Sequence, residues 1–175
     1  QLSNGLLARR RRIIENPMEL TLMTGITART NSGGTITIPA TAEVGDIAIF
    51  FQMARNSSGT PGTVTITGTT TVANQVAGPT STIRAMVSYK ILDAGDIGTP
   101  RTGLNGDAQN YKTIRIIRPS KPITSIAIGS IDSGWNTSGF TQTISAPTLA
   151  PAFIVGRIFN QQSALGATGS LFSTG

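Results

Sequence analysis

From Met18 onward, apolar residues recur at every second position in short runs, and this pattern constrains the fold more than any other feature. A period of two is typical of a β-strand with one buried face, whereas a surface helix repeats its apolar residues every three or four positions. The runs are separated by turns rich in Gly, Pro, Asn and Ser, and no helical period lies between them. The sequence therefore predicts an all-β fold, an antiparallel β-sandwich or jelly roll of about 9–11 short strands.

Two runs are the most informative about individual strands. Residues 47–51 are continuously apolar, which predicts a central strand buried on both faces. Residues 83–92 predict the longest strand, with alternate residues from Ile83 to Ile91 sharing one face. Further strands are predicted over residues 20–24, 35–38, 63–67, 111–117, 123–131, 141–144, 153–155 and 157–159.

The chain divides into three parts by composition. Residues 1–17 form a basic amphipathic arm, residues 18–160 the β-domain, and residues 161–175 a Gly/Ser/Thr/Ala-rich tail without a strand pattern. The arm predicts a short helix that ends at Asn16-Pro17, too short to be stable alone in water. We expect the tail to be flexible or ordered by a neighbour.

The arm carries half of the formal net charge of +6 within its first sixteen residues. Its arginines point to three roles: docking on a partner protein, binding of nucleic-acid phosphate, or a solvated terminus. Docking is favoured, because the apolar residues of the arm need an apolar groove that nucleic acid does not supply. The predicted partner-binding residues are Leu6, Leu7, Arg9, Arg10, Arg11, Arg12, Ile13 and Ile14.

The chain has no His and no Cys, which excludes Ser-His-Asp triads, Cys-His pairs and ordinary zinc sites. Catalysis would then fall to carboxylates, yet these stand beside Gly in the turn-like segments E-V-G-D (43–46), D-A-G-D (93–96) and N-G-D (105–107). Asp in such segments typically accepts hydrogen bonds from the local backbone. A calcium-binding loop would require the denser D-x-D-x-D-G spacing, which is missing here. We therefore expect turn-stabilising carboxylates, no catalytic residue, no metal, no cofactor and no enzymatic activity.

A loop around Trp135 is the second candidate site. Trp135 stands in a Gly/Ser/Asn-rich stretch, where it is expected to cap one end of the domain or contact a partner. The alternative is a sugar stacked on Trp135, with Asp132 and Asn136 binding its hydroxyl groups. On that alternative, Trp135→Ala abolishes glycan binding but leaves the fold intact, and unchanged binding on a glycan array would contradict it.

The chain has no run of 18 apolar residues and no secretory h-region, so neither a transmembrane helix nor a membrane partner is predicted.

Three stretches give the chain a family resemblance. They are T-I-P-A…G-D-I-A-I with the A-R-N-x-S-G-T-P loop (37–61), R-A-M-V-S-Y-K-I-L-D-A-G-D (84–96) and T-G-L-N-G (102–106). These motifs resemble small virion proteins of tailed bacteriophages over residues 35–118, roughly half the chain. The resemblance implies a β-sandwich structural protein located in the virion, such as a capsid decoration (cement) protein or a head–tail component.

The expected function is therefore non-enzymatic. The chain docks on other virion proteins, capsid or tail subunits, through its arm and sheet edges, and it forms a homo-oligomer. A glycan-binding tail adhesion module is the alternative. A jelly-roll coat protein whose arm binds RNA or DNA ranks third, because the total charge is small.

Overall fold

The computed structural model describes residues 18–23, 26–30, 35–77, 82–127, 153–161 and 165–174. This described part is all-β, with antiparallel strand pairs and no helix, so the all-β class is confirmed. It accordingly contains no helix long and apolar enough to cross a membrane. The strands are β1 (Leu20–Leu22), β2 (Ile26–Thr30), β3 (Thr35–Thr37), β4 (Ile47–Arg55), β5 (Thr70–Ala77), β6 (Ile83–Ile91), β7 (Pro100–Thr102), β8 (Gln109–Pro119), β9 (Phe153–Gln161) and β10 (Leu165–Thr174).

The main sheet has six strands, five of them in the order β1-β8-β4-β6-β5 and the sixth, β2, off this path. β2 also pairs with β8, beside its first half, while β1 pairs with its last residues. β1 and β2 therefore share one border of the sheet, and β5 forms the other. Two smaller pairs, β3 with β7 and β9 with β10, complete the described strands.

β4 lies at the centre of this sheet, as its continuous apolar run predicts. Its first eight residues are buried, and it pairs with β6 on one side and β8 on the other over all nine positions. Antiparallel partners that lie directly opposite each other point to the same face. The pairing with β4 therefore shows to which of the two faces each aligned residue of β6 and β8 points. The predicted shared face of β6 is confirmed; its residues are Ile83, Ala85, Val87, Tyr89 and Ile91.

The inner face is the one that bears Phe50. The segment around β3 and the loops that follow β4 and β6 cover it. The core cluster there consists of Ile36, Ile38, Ala42, Ala48, Phe50, Ile66, Leu92, Ile114 and Ile116. The opposite, outer face bears Ile47, Ile49, Phe51 and Ile117, against which Leu20, Ile123 and Ile126 pack. β10 also lies against β4 and β8. Burial of both faces explains why β4 begins with a continuous apolar run.

The structure corrects several strand predictions. Residues 63–67 are not a strand: Ile66 is buried on the inner face, while Thr63, Val64 and Thr65 are exposed in an unpaired stretch. The strand follows instead at β5, whose T-T-V-A-N-Q-V-A sequence carries a weak apolar signal because an edge strand buries little. Residues 123–127 are not a strand either.

Three further differences concern strand length and the tail. β8, with 11 residues, is longer than β6, which the sequence predicts to be the longest. One strand, β9, replaces the two short runs predicted over residues 153–159. β10 lies in the tail, for which the sequence predicts no strand, because its pairing with β9 supplies the order that its own apolar pattern does not indicate.

Candidate functional site

The two candidate sites predicted from the sequence lie outside the described residues. These are the arm, with Leu6, Leu7, Arg9–Arg12, Ile13 and Ile14, and the loop with Asp132, Trp135 and Asn136. Both stay predictions. The described residues bring together three other arrangements of polar side chains: two carboxylate turns, a loop clamp and a buried polar cluster.

The first carboxylate turn is centred on Asp46. Its buried carboxylate accepts a hydrogen bond from the backbone N–H of Glu43 at 2.8 Å, closing the E-V-G-D turn. Arg118 donates to both of its oxygens, each at 2.9 Å, and also contacts Glu43 and the Thr41 carbonyl. Hydrogen bonding to Asp46 raises the pKa of Arg118. Arg118, at the end of β8, therefore stabilises the turn that precedes β4.

The second carboxylate turn repeats this arrangement at Asp96, which is fully buried. Its carboxylate accepts from the backbone N–H of Asp93 at 2.8 Å, as Asp46 accepts from Glu43. Lys90 Nζ lies 2.7 Å from Asp96 Oδ2, and Arg101 contacts Oδ1. Burial alone would raise the pKa of Asp96, but the Lys90 and Asp93 hydrogen bonds and both positive charges lower it. The hydrogen bond to Asp96 in turn raises the pKa of Lys90.

The two turns lie side by side at one end of the main sheet. The N–H of Gly45 donates to the Leu92 carbonyl at 2.9 Å, and the N–H of Leu92 donates to the Asp46 carbonyl at 2.8 Å. Gly45 has φ of 91°, a left-handed conformation that favours glycine. The expectation that these carboxylates stabilise turns is confirmed. Sequence reasoning missed Arg118 as the partner of Asp46, because the two are 72 residues apart along the chain.

The loop clamp lies at the opposite end of the sheet. Asp107 accepts from the backbone N–H of Ser57 at 2.6 Å and from its hydroxyl at 3.0 Å. The side chain of Asn56 accepts from the N–H of Asp107 at 3.1 Å. The clamp joins the loop after β4 to the loop before β8, so Asp107 also stabilises loop structure. No group of three potential metal-binding side chains occurs within the described ranges.

The buried polar cluster lies on the inner face and consists of Gln52, Ser88 and Lys112. Gln52 on β4 stands directly opposite Lys112 on β8. Ser88 on β6 lies two positions beyond the β6 residue that is paired with Gln52, and so points to the same face. All three are buried, and Gln52 Nε2, Ser88 Oγ and Lys112 Nζ have no hydrogen-bond partner in the described part of the chain. Burial lowers the pKa of Lys112. The sequence contains a signal for the burial of Lys112, since Lys112 alternates along β8 with the same period as the core residues Ile114 and Ile116 and so lies on their face.

The edge strand β5 is the remaining candidate surface. Among the described strands it pairs only with β6, and a β-bulge falls between Thr71 and Ala73. Its Val76 is 43% exposed. An edge strand presents backbone N–H and C=O groups to which another chain can pair.

Comparison of the chain with protein-family models, with curated proteins and with solved structures gives no match.

Proposed function

We propose that this chain is a non-enzymatic structural protein of a bacteriophage particle, a capsid decoration or head–tail component. It docks on neighbouring virion subunits through its N-terminal arm, residues 1–17, and through its sheet edges. The observation that carries this proposal is the exposed edge strand β5, which borders a sheet covered on both faces and pairs on one side only within the described part of the chain.

The residues that carry the family resemblance support a structural role. The stretch 37–56 runs through β4 and the first carboxylate turn, and the stretch 84–96 runs through β6 and the second. Gly103 and Gly106, within the stretch 102–106, pack closely against β4. The shared motifs thus serve core packing and turn geometry, which is what a scaffold for docking surfaces requires.

We also propose the β-sandwich form of the fold. The β3–β7 pair supplies the start of a second layer, because Ile36 of β3 packs with Phe50 of β4 across the inner face. Residues 61–66 extend this layer, since Ile66 belongs to the same cluster and the Pro61 carbonyl accepts from Arg84 at 2.7 Å. A crystal structure with two facing sheets is the expected result.

Docking predicts two independent losses. Deleting residues 1–16 is expected to abolish incorporation into particles, since the arm supplies the apolar and cationic contacts. Val76→Glu is expected to weaken association by about tenfold, equivalent to about 1.4 kcal/mol, because a charge on an edge strand opposes strand pairing. Incorporation is measured by purifying particles assembled in the presence of each variant.

The matched control is Val44→Glu, which adds the same charge at a position that is 67% exposed, at the other end of the sheet. The Glu in Val76→Glu stands opposite Arg84, so the fold should tolerate it. Light scattering on the full chain and on the shortened chain separates self-assembly from docking on a different subunit. Full incorporation of both the shortened chain and Val76→Glu would overturn the proposal.

A further inference from the structure

The buried polar cluster of Gln52, Ser88 and Lys112 has a composition that is unusual for a protein interior. The three residues lie on adjacent strands, point to the same face, and are each at most 2% exposed. Buried polar atoms in proteins almost always have a hydrogen-bond partner. Here an ammonium, an amide N–H₂ and a hydroxyl lack one among the residues that the structure describes. All three groups can donate hydrogen bonds, and the hydroxyl alone of the three atoms can also accept.

The positive charge of Lys112 has no counter-charge among the described residues. Their buried carboxylates are engaged elsewhere: Asp46 with Arg118, and Asp96 with Lys90 and Arg101. Burial of an isolated ammonium costs several kcal/mol, so the charged form requires an anion beside it. The amide of Gln52 stands directly opposite Lys112 and also lacks a partner, so an acceptor beside these two residues would satisfy both groups together.

The cluster is closely covered on the side of Gln52 Oε1. The N–H of Leu104 donates to Gln52 Oε1 at 2.9 Å, which holds the loop after β7 directly against β4. A methyl group at Gly103 would come within 1.7 Å of that same oxygen and 3.1 Å of Ile66. Packing this close at Gln52 favours an ion of one atom over a larger anion such as phosphate.

We propose that a halide ion binds between the two layers at Lys112, with Gln52 Nε2 and Ser88 Oγ as the neighbouring donors. The ion neutralises the Lys112 ammonium and accepts the hydrogen bonds that the protein does not itself supply. It stabilises the contact between β4, β8 and the covering loop. This site is independent of the docking surfaces.

Bromide is the direct probe. Crystals of the full chain grown in sodium bromide are expected to show an anomalous peak at the bromine absorption edge within hydrogen-bonding distance of Lys112 Nζ. A water molecule in that place, or the absence of a peak there, would overturn the proposal. This measurement uses the unaltered protein and so does not depend on any variant folding.

A solution experiment tests the same site through stability. Sodium gluconate is replaced by sodium chloride at constant ionic strength, so that a large organic anion gives way to a monatomic one while the total salt stays the same. Above the dissociation constant, each tenfold rise in chloride is expected to raise the Tm of the unaltered chain by about 3–6 °C. Lys112→Met should remove this dependence. The control, Lys121→Met, removes the same charge from an exposed position and should retain it. An equal chloride response in all three proteins would contradict the site.

Discussion

Replacing Asp96 with alanine is expected to lower the free energy of unfolding by about 3 kcal/mol. The substitution removes the carboxylate that lies between Lys90 and Arg101 and that accepts from the Asp93 N–H. Loss of one partner from a buried ion pair costs about 3–5 kcal/mol. The lower end applies because both cations are partly exposed and can regain water. Urea unfolding at neutral pH measures the loss.

Asp93→Ala is the matched control for this prediction. It removes a carboxylate from the same turn, and one that also contacts Lys90, but Asp93 is 65% exposed. Exposed ion pairs contribute about 0–1 kcal/mol, so the control should lose much less stability than Asp96→Ala. Equal losses in the two variants would show that burial of Asp96 is not the source of its contribution.

The ion pairs of Asp96 also make the free energy of unfolding depend on pH. The pKa of Asp96 is lower in the folded chain than in the unfolded chain, so its contribution is present above about pH 4 and is lost as pH falls through the folded pKa. The pKa of Lys90 is raised on folding, so its contribution is lost as pH rises above about 10.5. The stability difference between the unaltered chain and Asp96→Asn should therefore be largest between these limits and shrink on both sides.

Replacing Gly106 with alanine is expected to lower the free energy of unfolding by about 2–3 kcal/mol. The added methyl group would lie 2.2 Å from the carbonyl oxygen of Arg55 and 2.7 Å from its carbonyl carbon. Both atoms belong to the backbone of β4, which pairs on both sides and cannot shift without disturbing the sheet. Asn110 further holds Gly106 in place, donating to its carbonyl at 3.0 Å and accepting from its N–H at 2.8 Å.

Gly62→Ala provides the comparison for Gly106→Ala. No atom lies within 4 Å of the position that the methyl group would occupy, and Gly62 does not have a positive φ. Its free energy of unfolding should change by no more than about 0.5 kcal/mol. Thermal unfolding of both variants measures the contrast. A small effect of Gly106→Ala, similar to that of Gly62→Ala, would mean that the loop can move away from β4.

Edge strands and distant partners explain most of what sequence reasoning missed. β5 escaped prediction because an edge strand needs few apolar residues, and residues 63–67 alternate as a strand does but find no pairing partner in the described structure. Lys112 lies in a strand that the sequence does predict, yet its burial depends on the covering of the inner face, where the loop after β7 lies against the opposite residue Gln52. Both outcomes depend on residues far away along the chain.

The sequence by itself determined the features that depend on near neighbours. The apolar run from Ile47 predicts a doubly buried strand, the alternation from Ile83 predicts a shared face, and the E-V-G-D and D-A-G-D segments predict carboxylate turns. Only the tertiary structure decided strand order and the partners of the turns, such as Arg118 for Asp46. The physical reason is that turns and alternation arise from local backbone geometry, whereas ion pairs and edges arise from register between distant strands.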